Sequence, residues 1–289
     1  MNQTLPSNKV LVLFDEFGSP TFDKGNNTFV GVAVLYEHSE ECEIFNSLKE
    51  LMGLSNSKPL KNDRISKGRA IRIAKEIAHQ NIKVNVKYLN LTNTTLREYT
   101  KTYTVFGNFS RKLWRGIEGR KDAHFLHSQV LQSCLFDIIS RYTAISTIQK
   151  HHIEIIVDDW SYPKTDTHIV LDYSAENLQK HIQELINNHD NSDTTVTIEP
   201  IQFFGPTNSP RATFIDVLTS VISRSFVDKS NVKFDTQPLV ELSKELVDDF
   251  VVEDITISTI EFIHDVMYKD IQETKIQDDS PIIIPRRPK

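Results

Sequence analysis

The chain has 289 residues, 39% of them hydrophobic and 25% charged, with a formal net charge of −6. This length and balance point to a globular protein able to bury a sizeable core, and exclude a fibrous or disordered chain. The negative charge excludes coating of nucleic acid by bulk electrostatics, yet leaves room for a nuclease whose carboxylate site sits beside a local basic patch.

No apolar stretch approaches the length of a transmembrane helix, and MNQTLPSNK lacks the apolar core of a signal peptide, so a cytoplasmic location and no membrane partner are expected. Cys42 and Cys134 have neither zinc-site spacing nor disulfide density and read as reduced packing residues.

In chain order, Asn8 to Pro20 comes first, NKVLVLFDEFGSP. An unbroken apolar run from Val10 to Phe14 predicts a strand covered on both faces, and it stops on Asp15 and Glu16 before a Gly-Ser-Pro turn. Two readings fit Asp15. It opens a solvated turn, as Asp commonly does, or it is held at the sheet's end to bind a hard cation. A turn at Asp23 to Asn27 and a second strand, Thr28 to Tyr36, predict an antiparallel pair. Helices are expected at Glu40 to Leu51 and at Arg64 to His79, separated by a polar loop holding Lys58 and Lys61. Ile82 to Leu89 alternates cleanly and reads as a half-buried strand.

A helix over Thr92 to Phe109, broken near Gly107, leads into the basic loop Arg111 to Lys121 and then a helix over Ala123 to Tyr142. The junction HIEIIVDDW, His152 to Trp160, repeats the opening pattern, an apolar strand ending in Asp158 and Asp159. A long helix from Ile169 to Asn188 and an edge strand from Thr194 to Gln202, with Pro200 in it, come next. Ser209 and Pro210 form an N-cap and first turn for SPRATFIDVLTSVISRSF. In that helix Asp216 is surrounded by Ala212, Thr219, Ser220 and Ser223, small neighbours that let the helix approach a sheet. Asp216 on an ordinary exposed polar face is the alternative. From Phe234 the chain turns acidic, with helices expected at Leu239 to Phe250 and Thr259 to Ile271 and a tail, SPIIIPRRPK, that reads as flexible or bound to a protein partner.

If the first and fourth strands lie side by side and parallel, Asp15 and Asp158 project from one edge, and a helix laid across that edge delivers Asp216. Carboxylates brought that close raise one another's pKa unless a cation neutralises them, so convergence implies metal. Two magnesium or manganese ions roughly 4 Å apart would then activate water for phosphodiester cleavage without a side-chain nucleophile. The chain has no GxSxG, Walker, HExxH or GxGxxG motif.

The DEFG opening with its TFVGVAV strand, the IEIIVDD strand and the SPRATFIDVLTSVISR helix resemble the bacterial family called domain of unknown function 3800, in order and spacing over most of Val10 to Phe226. That resemblance implies a ribonuclease H-like α/β fold, a mixed sheet with helices on both faces. It implies a two-metal phosphodiesterase site with Asp15, Asp158 and Asp216 as catalytic residues, and a role in defence against phage or mobile elements. Phe17 stands where the family usually has Ser, and TFID replaces QLAD. The expected metal set is Asp15, Glu16, Asp158, Asp159 and Asp216, with Glu16 matched to the family's pattern by the resemblance and Asp159 rivalling Asp158 because neighbours on a strand face opposite ways. The expected organisation is a domain over residues 1–230, with a helical insertion at about 92–142, then an acidic appendage over 231–289.

Nucleic acid, DNA or RNA, is the candidate partner, contacted through Lys58, Lys61, Arg111, Lys112, Trp114 and Arg115. His124 and His127 lie at a metal-ligating spacing but lack a third ligand nearby, and the His151-His152 pair reads as surface. Two other functions stay open: a non-catalytic binding or regulatory module on the same fold, and a metal-dependent hydrolase of a small phosphorylated molecule.

Overall fold

The computed structural model describes residues 7–20, 22, 27–54, 65–106, 121–158, 175–189, 194–204, 209–226 and 235–263. Its centre is a mixed seven-stranded sheet with helices on both faces. Strand β1 (Ser7–Phe17) pairs antiparallel with β2 (Thr28–Glu37), which pairs antiparallel with β3 (Lys83–Asn90). On its other side β1 runs parallel to β4 (Lys150–Val157), so the first and fourth strands are neighbours, Phe14 opposite Val157. With β5 (Thr195–Ile198) and β7 (Phe250–Asp254) at its two edges, the path across the sheet is β5-β4-β1-β2-β3-β7.

The continuous apolar run of β1 is explained by its place in the middle. Val10, Val12 and Phe14 enter one core and Leu11 and Leu13 the other, all with no exposure. The first core is closed by α3 (Thr94–Phe106), α4 (Lys121–Ile145) and α5 (Ala175–His189). The second is closed by α1 (Glu41–Met52), α2 (Lys67–Ala78), α6 (Pro210–Ser223) and α7 (Gln237–Glu245). Most of α4 is buried, and it supplies Leu126, Val130, Leu131 and Leu135 to the core.

Four expectations change. The edge strand read through Pro200 is two strands, β5 (Thr195–Ile198) and β6 (Gln202–Phe203), both paired with β4. Pro200 lies in the break, where its missing N–H costs the ladder nothing. The helix expected to reach Phe250 ends at Glu245, and Phe250–Asp254 forms β7, parallel to β3, so the acidic stretch extends the sheet. On β3 the polar positions are covered too: Asn85 and Lys87 are buried beneath α4. Lys87 pairs with Asp137 of α4 and Glu253 of β7. Cys134 is buried and Cys42 exposed, both as free thiols. His151, read as surface, is buried on β4 with its ring edge-on to Tyr142. No described helix is long and apolar enough to cross a membrane.

Candidate carboxylate site

The last residues of β1 carry the site. Alternation along a strand sends Asp15 to the side of Leu11 and Leu13, where α6 packs, and Glu16 to the side of Val12 and Phe14, beneath α4. The strand stops at Gly18, whose φ of +101° is open to glycine and strained for other residues. A Cβ at Gly18 would also meet the Thr28 carbonyl oxygen at 3.0 Å. The chain thus turns away immediately after the two acids.

Asp158 follows the end of β4, and its backbone N–H donates to the Phe14 carbonyl at 3.0 Å, which places it beside Asp15. Asp216 lies in the second turn of α6. That helix starts at Ser209, whose Oγ accepts from the Ala212 N–H at 3.1 Å, with Pro210 in the first turn. Thr219, Ser220 and Ser223 are buried, so α6 lies close on β1, as their size suggested. Asp158 and Asp216 are exposed while Asp15 is 7% exposed, so the acids form a rim above a buried floor.

Electrostatics tie the four acids together. Asp15 is held well above the usual carboxylate range, first by burial and then by the charges of Glu16, Asp158 and Asp216, with a backbone hydrogen bond opposing. Glu16 is pushed up to about 8 by burial and by Asp158. Below it, His127 of α4 brings Nε2 to 3.5 Å from Glu16 Oε1. The imidazole lies edge-on to Phe14 and tilted to Phe29, and burial draws it down to about 3 against the pull of Asp158. Glu16 keeps its proton across the range in which His127 would gain one, so at neutral pH the contact joins two uncharged groups. Nothing local in the sequence linked His127 to the acids; only the packing of α4 under β1 brings them together.

The donor set suits a hard divalent cation: carboxylate oxygens from three elements, one buried and repelled by its neighbours. Glu16 Oε2 is also buried and has no hydrogen-bond partner among the described residues. Among those residues no three His, Cys, Asp or Glu side chains stand close enough together to hold one ion. Asp159, Lys58, Lys61, Arg111, Lys112, Trp114 and Arg115 lie outside the described residues, as does the side chain of His124. In comparisons with known proteins, no family model and no curated protein matches the chain.

Proposed function

We propose that this chain is a metal-dependent phosphodiester hydrolase, a nuclease, on a ribonuclease H-like sheet. The observation that carries the reading is Asp15, buried at the end of the central strand with the charges of Asp158 and Asp216 bearing on it. The parallel pairing of first and fourth strands and the helix that brings the third acid support the fold reading. The short motifs resembling the domain of unknown function 3800 family fall at these three places.

In this reading Asp15, Asp158 and Asp216 would hold magnesium or manganese, and would have to draw closer together to do so, since no three such side chains among the described residues stand close enough to hold one ion. A divalent cation supplies charge neutralisation for a phosphodiester and lowers the pKa of water. Asp15 holds its proton more tightly than an ordinary carboxyl, and a bound cation would displace that proton. Glu16 lies on the opposite face and supports the strand end through its contact with His127. A non-catalytic binding module is the second reading, favoured by the net charge of −6, which opposes approach of a polyanion.

The test is a cleavage screen over single- and double-stranded DNA and RNA with magnesium or manganese. Wild type should cleave at least one substrate, and Asp15→Asn and Asp158→Asn should each lose on the order of 100-fold or more, as losing a stabilising group at a reacting centre does. Equal activity in all three proteins would mean contamination and would overturn the assignment.

A further inference from the structure

Several buried or half-buried acids of this chain are matched to cations: Glu41 to Arg211, Glu154 to Lys9, Asp235 to Lys67 and Glu241 to Lys75. Glu37 and Glu40 are not. Both are half-buried, and neither has a basic nitrogen within 4.0 Å among the described residues. They line one cavity of about 290 Å³, between the end of β2, the start of β3 and the end of α4. This is the pole of the sheet away from the carboxylate rim. Glu37 stands opposite Val10 on β1, five residues before Asp15, which is roughly 17 Å along a strand.

The turn that leaves β2 holds the two acids together, with the Glu40 N–H donating to the Glu37 carbonyl at 2.9 Å. Glu40 is also the N-cap of α1, where a side-chain oxygen that accepts from the first helical N–H groups is stabilising, yet it makes no such bond. Its Oε1 accepts instead from Asn81 Nδ2 at 2.6 Å, and its Oε2 is buried with no hydrogen-bond partner. A buried oxygen left in that state gains from any ligand that brings it a donor. Glu37 Oε1 accepts from the Tyr142 hydroxyl at 3.4 Å, and that hydroxyl accepts from Asn8 Nδ2 at 3.0 Å. Burial and the charges of Glu37 and Glu40 push the Tyr142 phenol up to about 12, so both acids bear on one hydroxyl. Lys83 lines the cavity too, but it is already paired with Asp249.

The rest of the lining is apolar. Ile145, the last residue of α4, is 70% exposed, more than any other large apolar side chain among the described residues, and it shares the cavity with Leu35 and Ile148. Two carboxylates without a cation beside an aliphatic wall suit an organic cation, whose head donates to both acids while its chain lies on the wall. A hydrated metal ion would leave that wall unused. At about 30 Å³ for each non-hydrogen atom, the volume a water takes in the liquid, the cavity holds a molecule of about ten such atoms.

We propose that the cavity between β2, β3 and α4 binds an ammonium or guanidinium group carried on a short aliphatic chain, with Glu37 and Glu40 as its acceptors. The site is separate from the carboxylate rim and does not depend on the nuclease reading. The experiment is titration calorimetry on the metal-free full chain with three probes: agmatine, its neutral analogue butylurea, and N-acetyl-leucyl-arginine amide, which carries the same guanidinium on a peptide.

At least one of the two cations should bind, and butylurea should bind on the order of tenfold or more weakly, the loss expected when a charge-assisted hydrogen bond goes. Glu37→Gln with Glu40→Gln should cost a similar factor. Ile145→Lys, at a position exposed enough to leave the fold intact, should also weaken binding by setting a like charge beside the ligand. Asp158→Asn with Asp216→Asn should bind as tightly as the parent; loss of binding there would move the site to the rim and overturn the cavity. Tighter binding of agmatine would identify a free amine as the source of the group, and tighter binding of the peptide an arginine side chain. No binding of either cation at millimolar concentration, equal binding of butylurea, or unchanged affinity in the Glu37, Glu40 and Ile145 variants overturns the proposal.

Discussion

Burial and neighbouring charge act on Glu16 in the same direction, so the folded protein keeps a proton there that the unfolded chain releases near the ordinary value of 4.5. Between 4.5 and about 8 the folded state binds more protons, and stability therefore falls as pH rises through that window. His127 acts oppositely and lower, between about 3 and its ordinary 6.5, where stability rises with pH. Above pH 6.5 the carboxyls act alone. Glu16→Gln removes the ionisation, so urea melts should find it more stable than wild type at pH 8.5, by on the order of 3 kcal/mol, with the gap closing toward pH 5. A gap that does not change with pH would contradict the burial of this carboxyl. Asp15→Asn should behave similarly in EDTA, gaining melting temperature while losing cleavage, because a site that gathers repelling acids does so at the expense of stability.

At the scale of elements, the site depends on how closely α4 and α6 approach the sheet. Gly31 of β2 faces Glu16 across the β1 ladder, and a Cβ there would fall well inside contact with Val130 of α4 and 3.0 Å from the Phe14 ring. Gly31→Ala should destabilise by about 1–3 kcal/mol, the range for overpacking, and should push α4 and His127 away from Glu16. A double variant with Val130→Ala should recover much of the loss; if it recovers none, the close approach is not the cause. On the other face Ser209→Ala removes the cap of α6 and should cost about 1 kcal/mol by thermal melt, with a larger relative loss of cation binding because Asp216 rides on that helix.

These elements were largely legible. The two-faced apolar run of β1 and the cap at Ser209 follow from local chemistry and appear where expected. Pro200 marks the sheet's edge, as its missing N–H suggests, and it also separates β5 from β6. β3 misled, because alternation reports polarity and not coverage: Asn85 and Lys87 look like a solvent face, yet α4 covers them and Lys87 survives burial through Asp137 and Glu253.

At the scale of the whole molecule, ion pairs among the described residues join elements far apart in sequence. The acidic stretch that follows residue 230 supplies β7, whose Glu253 reaches back to Lys87, and Asp249 beside it pairs with Lys83. Burial alone would lower the Lys87 pKa, and the two carboxylates more than offset it, so the ammonium stays charged in the core. Lys87→Met keeps the stem and frees the partly exposed acids to rehydrate, so a loss of about 1–3 kcal/mol is expected, with faster hydrogen exchange confined to β3 and β7. Exchange unchanged in β7 would mean that these ion pairs do not fasten it. The strand had no legible signal, since FVVED after a helical pattern becomes a strand only because β3 leaves an edge open to it. The acids at the ends of β1 and β4 were readable as a repeated motif, whereas the gathering of Asp216 onto them depended on topology. The contribution of His127 depended on a helix packing that no spacing rule encodes.

If Asp15, Asp158 and Asp216 form the cation site proposed above, Asp15, whose carboxyl is held well above the usual range, must give up its proton when the cation binds. Manganese titration calorimetry at pH 6 and pH 8, in two buffers of different ionisation enthalpy, measures affinity and released protons together. Binding should tighten on the order of tenfold or more from pH 6 to pH 8, release protons at the lower pH, and be lost in Asp15→Asn. Manganese binding that is independent of pH, releases no protons and survives Asp15→Asn would contradict it.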